Sequence, residues 1–380
     1  MASDARGRAR DGNGAAADRR WMGAALALAR RGLGRVWPNP AVGCVIVRDG
    51  RVVGRGWTQP GGRPHAESEA LRRAGAAARG ATAYVSLEPC AHWGRTPPCA
   101  DALIAAGLAR VVAALEDPDP RTAGAGFARL RAAGLAVAVG AGAAEAAEIN
   151  AGFLQRQRSG RPLVTLKLAA SLDGRIATAS GESRWITAAA ARGKAHLLRA
   201  EHDAVMVGTG TVLADDPQLT CRLPGLAERS PLRIVLDRRL RIPPTAQLIA
   251  TARATPTWVL TLAGADRERR AVFERCGAVV IEVEPDALGR IDLGAALQTL
   301  GGRGLTRLLV EGGARLAASL LRARLVDRLV WMGAPLLLGA EGVPAVAELG
   351  LAALAEAPRF EPVASDMAGP DQLAVFRALS

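Results

Sequence analysis

His65, Cys90 and Cys99 are far apart in the chain, yet each falls where a regular element begins or ends. Pro64 opens a helix under His65-Ala66-Glu67, Pro89-Cys90 follows a strand, and Pro97-Pro98-Cys99 starts a second helix. One imidazole and two thiolates form a tripod for zinc. The thiolates cancel the ion's double charge, and a fourth tetrahedral position stays open for water. Helix N-termini favour the thiolate form of Cys90 and Cys99. Glu67, beside His65, is placed to take a proton from that water and pass it to a leaving group. A fold that uses these residues must bring all of them to one point.

The elements around them alternate. Strands at 41–47 and 52–56 flank an Asp49-Gly50 turn, a helix follows from Pro64, and strand 83–87 leads to a helix from about Ala100. Strand 110–115, helix 126–133 and strand 136–139 complete a layered α/β domain assigned to residues 20–146. Residues 1–19 lack an apolar period and are expected to be a mobile tail. Residues 147–162 are expected to be a linker, ending at Ser159-Gly160-Arg161-Pro162. Beyond it, strands at 163–168, 204–207, 233–236, 258–262, 279–283, 308–310 and 329–332, with helices at 188–200 and 315–322, predict a second α/β domain over 163–380.

Composition limits the function classes. The net charge is +13, but Lys167 and Lys194 are the only lysines, and aromatic residues make up only 3%, too few for base-stacking platforms. Anionic small ligands are the economical use of that charge. No apolar run reaches the roughly 18 to 20 residues of a membrane span. Five scattered cysteines suit a reducing compartment, so a cytoplasmic location is expected, with no membrane or nucleic-acid partner and with self-association left open. Cys44, Cys221 and Cys276 read as buried small hydrophobes.

In the second half no G-x-G-x-x-G occurs, since Leu213 stands where Gly208-Thr209-Gly210 would need its third glycine. Val310-Glu311-Gly312-Gly313 runs from a strand into a helix. That leaves a phosphate cradle and a plain tight turn both open. Arg199 and Arg222 are candidate phosphate clamps, Lys167 a candidate substrate holder, and Trp185 either a ring-packing or a core residue.

The H-x-E and P-C elements match the zinc-deaminase pattern except that eight residues, not two, separate the cysteines. Trp37-Pro38-Asn39-Pro40-Ala41-Val42-Gly43-Cys44, His65-Ala66-Glu67 and Leu87-Glu88-Pro89-Cys90-Ala91-His92-Trp93-Gly94-Arg95-Thr96-Pro97-Pro98-Cys99 resemble the deaminase half of the bifunctional riboflavin biosynthesis deaminase-reductases. The resemblance continues through 167–187 and Glu311-Gly312-Gly313. It implies an N-terminal cytidine-deaminase-like three-layer domain and a C-terminal dihydrofolate-reductase-like domain.

The implied first reaction is zinc-dependent hydrolytic deamination of 2,5-diamino-6-ribosylamino-4(3H)-pyrimidinone 5′-phosphate. The implied second reaction is NADPH-dependent reduction of the ribosyl group of 5-amino-6-(5-phosphoribosylamino)uracil to ribityl. His65, Cys90 and Cys99 would hold zinc, Glu67 would carry the proton, and Asn39, His92 and Arg95 would hold substrate. NADPH contacts would fall on Ala169, Trp185, Thr211, Asp215, Gly313, Ala314, Arg315, Leu316, Ala317, Ala318 and Ser319. Substrate contacts would fall on Ser183, Arg199, Leu219, Arg222 and Glu311. The sequence departs from the family pattern at Thr58, where a histidine is usual, and at Arg238, where some relatives carry a serine near NADPH. The alternatives are a nucleic-acid editing deaminase with an appended binding domain and a non-catalytic zinc-stabilised binding protein.

Overall fold

The computed structural model describes residues 4–94 and 97–379, with side chains from residue 14 onward. The chain divides into two compact units, Met1–Ser159 and Gly160–Ser380.

The first unit contains α1 (Asp4–Ala29), β1 (Gly43–Arg48), β2 (Arg51–Trp57), α2 (Ala66–Ala74), β3 (Thr82–Val85), α3 (Cys99–Ala105), β4 (Arg110–Ala113), α4 (Ala125–Ala132), β5 (Ala136–Val139), α5 (Ala143–Ile149) and α6 (Ala151–Ser159). Its sheet has the order β2-β1-β3-β4-β5. The β1 strand is antiparallel to β2 and β3, while β3, β4 and β5 run parallel. Alternation along the strands makes three layers. Cys44 and Ile46 of β1, Ala83 and Val85 of β3, and Val111 of β4 face a core shared with Ala66, Ala70, Ala100, Leu103 and Leu130. Val45, Tyr84 and Val112 face the opposite core with Met22, Ala25, Leu26, Ala146 and Ile149. Gly54 and Gly56 let α2 lie directly on β2, because a Cβ at either would stand 2.2 Å from the carbonyl of Ala70 or Ala66.

The structure differs from the sequence expectation at both ends of this unit. The first helix begins at Asp4, so it takes in most of the expected tail, and Asp18 is held by Tyr84 and by a bidentate Arg110. Residues 147–159 are not a linker. The segment forms two helices joined at Asn150, and Ile149, Asn150, Phe153 and Leu154 are buried in this unit.

The second unit contains β6 (Leu163–Ser171), β7 (Arg175–Ala177), α7 (Ala189–Glu201), β8 (Ala204–Gly208), α8 (Thr209–Asp215), β9 (Leu232–Leu236), α9 (Gln247–Ala250), β10 (Thr257–Leu262), α10 (Arg267–Arg275), β11 (Val279–Val283), α11 (Leu293–Gly302), β12 (Arg307–Val310), α12 (Ala314–Arg322), β13 (Arg328–Ala334), β14 (Val343–Pro344), β15 (Phe360–Ala368) and β16 (Asp371–Ala378). The large sheet has the order β11-β10-β9-β8-β12-β6-β13-β16-β15. It is parallel from β11 to β13, and β16 and β15 add an antiparallel edge. In such a sheet, ligand sites form beyond the carboxyl ends of the parallel strands. The hairpin β15–β16 was not foreseen, because Pro362, Ser365 and Asp366 break the apolar pattern and β15 is exposed along most of its length.

Candidate active sites

The three metal-ligand candidates meet at one point. Their ligand atoms all lie within 4.8 Å of one another. His65 caps α2 in an extended conformation, and Cys99 is the first residue of α3, so both side chains project from helix starts, as the flanking prolines predict. The His65 Nδ1 lies 3.3 Å from the Cys99 sulfur and 3.7 Å from that of Cys90. The Cys99 N–H donates to the Cys90 sulfur at 3.3 Å. Hydrogen bonding from Cys99, then from His65, outweighs burial and holds the Cys90 thiol down to about 4. Cys99 moves the other way, pushed well above its ordinary value by the hydrogen bond to Cys90 and by burial. The helix-start expectation is thus not met at Cys99, and Cys90, which lies on no helix, is lowered by its hydrogen bonds instead.

Glu67 is only 3% exposed, and burial pushes its carboxyl up to about 7. It shares with His65, Cys90, Asn39 and His92 a cavity of about 260 Å³. Arg95 lies outside the described residues. The Thr58 hydroxyl, at the departure from the family pattern, accepts from the Val42 N–H at 3.0 Å and fastens the site end of β2 to β1. Cys44 and Cys221 are buried as expected, whereas Cys276 is half-buried.

Glu88 carries a part that the sequence reading missed. Its carboxylate accepts from the N–H groups of Asp117 at 3.1 Å, Gly124 at 3.0 Å and Phe127 at 3.1 Å. It thereby holds the segment that brings Asp117, Asp119 and Arg121 to the cavity wall and gives His92 a partner in Thr122 at 3.2 Å. Burial pushes Asp117 up to about 6, while Arg121 holds Asp119 below its usual range. The adjacency of Glu88 to Pro89-Cys90 was the only signal available in the sequence.

In the second unit the candidates gather at neighbouring strand ends. Val310 of β12 pairs with Leu166 of β6, which sets Glu311 beside Lys167, 3.8 Å away. Arg199 grips the same carboxylate with two hydrogen bonds and donates a third to the Thr220 carbonyl. Burial alone would raise Glu311, but the Arg199 and Lys167 charges win and hold it down to about 2. Lys167 is nonetheless lowered, because burial and the Arg199 charge outweigh its attraction to Glu311.

Arg199 thus differs from the expected free phosphate clamp: its guanidinium is engaged by Glu311 and by the 219–222 loop. Leu219 in that loop is 3% exposed with φ of 54°, a conformation that costs a leucine strain and that tertiary contacts must maintain. The Arg222 side chain is exposed and its N–H donates to His196 Nδ1 at 3.4 Å.

Two further links join the remaining candidates. The Gly313 N–H donates to the Thr211 hydroxyl at 3.2 Å, tying the start of α12 to α8. The Arg184 guanidinium donates to the Asp215 carbonyl at 3.0 Å, tying the Ser183-Trp185 loop to the end of α8. Trp185 is 66% exposed, which rules out its core reading, and Arg192 lies over its ring at 4.5 Å. Beside α12, a cavity of about 650 Å³ is lined by Leu316 and Ser319 together with Thr209, Arg238, Arg241, Arg290 and Arg322. Among the lining acids, Asp286 is taken up by Arg290 and Asp292 by the Ala295 N–H, while Arg238 donates to the Gly289 carbonyl at 3.2 Å and Arg322 to the Glu348 carbonyl at 2.6 Å, so that no lining carboxylate pairs with either. Ala169 lies on β6 opposite Met332 of β13.

A layered unit with a His-Cys-Cys pocket beside a buried carboxylate has the parts of a zinc-dependent deaminase, and a mostly parallel α/β unit follows it. The family description "Cytidine and deoxycytidylate deaminase zinc-binding region" matches residues 15–115, and "RibD C-terminal domain" matches residues 162–373. The chain is 46% identical to riboflavin biosynthesis protein RibD of Escherichia coli K12, over 93% of this chain and 97% of that protein. It is 42% identical to RibD of Bacillus amyloliquefaciens, over 92% and 94% respectively. The solved structure of Acinetobacter baumannii RibD, at 40% identity, matches it with a TM-score of 0.87 over 96% of this chain and 100% of that one. The chain therefore belongs to the RibD family, the bifunctional deaminase-reductases of riboflavin biosynthesis. Among the described residues, no helix is long and apolar enough to cross a membrane.

Proposed function

We propose that the first unit deaminates 2,5-diamino-6-ribosylamino-4(3H)-pyrimidinone 5′-phosphate and that the second reduces the ribosyl group of 5-amino-6-(5-phosphoribosylamino)uracil to ribityl with NADPH. A relative from Thermotoga maritima, 33% identical with a TM-score of 0.84 over 96% of this chain and 99% of that one, is a diaminohydroxyphosphoribosylaminopyrimidine deaminase/5-amino-6-(5-phosphoribosylamino)uracil reductase. The observation that carries the reading is the convergence of His65, Cys90 and Cys99 within 4.8 Å at the cavity that also holds Glu67.

This donor set fits zinc, since two sulfurs and one ring nitrogen leave a fourth tetrahedral corner open. Zinc supplies the Lewis acidity that brings the pKa of water toward about 7. Glu67 takes the water proton on a carboxylate oxygen and delivers it to the departing amine nitrogen, so that ammonia leaves as the ring carbon gains oxygen. Asn39, His92 and the Asp117–Arg121 wall orient the pyrimidine.

NADPH supplies the hydride in the second reaction. The start of α12 from Gly313, held against Thr211, fits the dinucleotide's pyrophosphate, and the arginine-lined cavity along the same helix fits its adenosine end. The residues named for NADPH, from Ala169 to Ser319, and for substrate, Ser183, Arg199, Leu219, Arg222 and Glu311, orient the two ligands without a protein nucleophile. Arg222 meets the substrate phosphate. Arg199 acts by fixing Glu311 and the 219–222 loop. The setting is cytoplasmic, with small phosphorylated pyrimidines as partners.

A coupled assay tests this reading. Ammonia should appear from the diaminopyrimidine without NADPH, and nicotinamide absorbance should fall only once deaminated compound is present. Oxidation at an equal rate with undeaminated compound would reverse the order. Deamination of a single-stranded oligonucleotide or tRNA but not of the free pyrimidine phosphate would favour the editing alternative.

A further inference from the structure

Asn150 lies outside the region matched by the zinc-binding deaminase description, in a segment whose sequence reads as a linker. It is 1% exposed, and its amide makes a two-way bond to one residue 109 positions earlier. The Oδ1 accepts from the Ala41 N–H at 2.9 Å, and the Nδ2 donates to the Ala41 carbonyl at 3.1 Å. Ala41 precedes β1 and takes no part in the sheet ladder, so the side-chain amide satisfies both of its peptide groups as a neighbouring strand would.

The anchored stretch matters because of its neighbours. Pro38, Asn39 and Pro40 line the deaminase cavity, and the two prolines bring no N–H with which to fasten it. On its other side Asn39 is buttressed by Gly62, where a Cβ would stand only 1.8 Å from the Asn39 amide nitrogen. One turn beyond Asn150, Phe153, Arg156 and Gln157 line the same cavity from one face of α6, the spacing of successive helical turns. A single residue thus joins two walls of the cavity.

We propose that Asn150 is a positioning residue of the deaminase site, fixing Asn39 on one wall and the Phe153–Gln157 face on the other. The metal-ligand set and Glu67 come from α2, α3 and the end of β3, and none of them bonds to Asn150. Its effect therefore falls on the binding of the aminopyrimidine ribosylphosphate and not on proton transfer. This inference rests on the deaminase reading above.

The test uses the full-length zinc-loaded chain with Asn150→Asp, Asn150→Ala and Gln157→Ala. Asp keeps the acceptor for the Ala41 N–H but sets a carboxylate against the Ala41 carbonyl, so loss of one buried pairing should raise the deaminase KM about tenfold or more. The kcat should stay within about threefold, with zinc content and reductase rate unchanged. An unchanged KM, or a fall in kcat at constant KM, overturns the proposal, as does loss of zinc. Should the Asn150 variants fail to fold, Gln157→Ala decides: a KM raised about threefold or more supports the wall, and an unchanged KM overturns it. A wild-type protein that binds zinc but leaves the pyrimidine untouched refutes the functional reading instead.

Discussion

Arg199 holds Glu311 with two parallel hydrogen bonds, from Nε to Oε1 at 2.6 Å and from a terminal nitrogen to Oε2 at 2.9 Å. Both side chains are largely buried, at 12% and 8% exposure. Paired charges at this depth cost much to separate, because removing one leaves the other without solvent or partner.

The pH dependence of the second unit follows from that pair. Glu311 has a folded pKa of about 2 against an ordinary 4.5, so its carboxylate stabilises the fold fully above the ordinary value. That contribution, roughly 3 kcal/mol, is lost as pH falls from about 4.5 to about 2. Thermal melts across this window should show the loss in the wild type, and Glu311→Gln should remove this share of the slope. A variant with the wild-type slope would contradict the assignment.

Elemental analysis should find about one zinc per chain, and Cys90→Ser or Cys99→Ser should remove it, since two ligands leave the ion loosely held. Metal-free protein with full deaminase activity would refute the site.

Glu67→Gln should retain zinc while deamination falls by about 10²- to 10⁴-fold, the usual contribution of a positioned acid-base group. Zinc retention separates this variant from a ligand loss. Full activity would remove Glu67 from the proton transfer.

Glu88→Gln replaces an acceptor of three N–H bonds with a group that must turn donors toward one or more of them, at a cost of about 1–3 kcal/mol. Thermal denaturation should show the loss, and KM for the pyrimidine should rise as the Asp117–Arg121 wall loosens. A rise in neither would mean that the segment is held elsewhere.

Arg241→Ala and Arg238→Ala should weaken NADPH binding about tenfold while leaving NADH nearly unchanged, because only the former carries a third phosphate for these cations. Titration calorimetry with both dinucleotides reads the ratio directly. Equal losses for both would place the arginines elsewhere on the ligand or outside its reach.

Some of this architecture was legible in the chain because local chemistry fixes it. Pro64 and Pro98 start helices wherever the chain goes, so the placement of His65 and Cys99 at helix starts could be read directly. The apolar run at 41–47 could likewise be read as a strand, and it forms β1 with Cys44 buried. The segments that went unread share another property. Their role depends on partners about a hundred residues away, as with Asn150 and Ala41, or on a strand such as β15 that buries too little to show an apolar pattern.

By itself the sequence singled out His65, Cys90, Cys99 and Glu67 as candidates with their local settings, and it determined the alternation of strands and helices, since these follow from residue chemistry and short-range spacing. Tertiary structure alone decided that Arg199 is paired with Glu311, that Glu88 organises the 117–127 segment, and that residues 147–159 build a wall and not a tether. Each of these depends on which buried donors and acceptors meet across the fold, and desolvation makes that choice only once the core has closed.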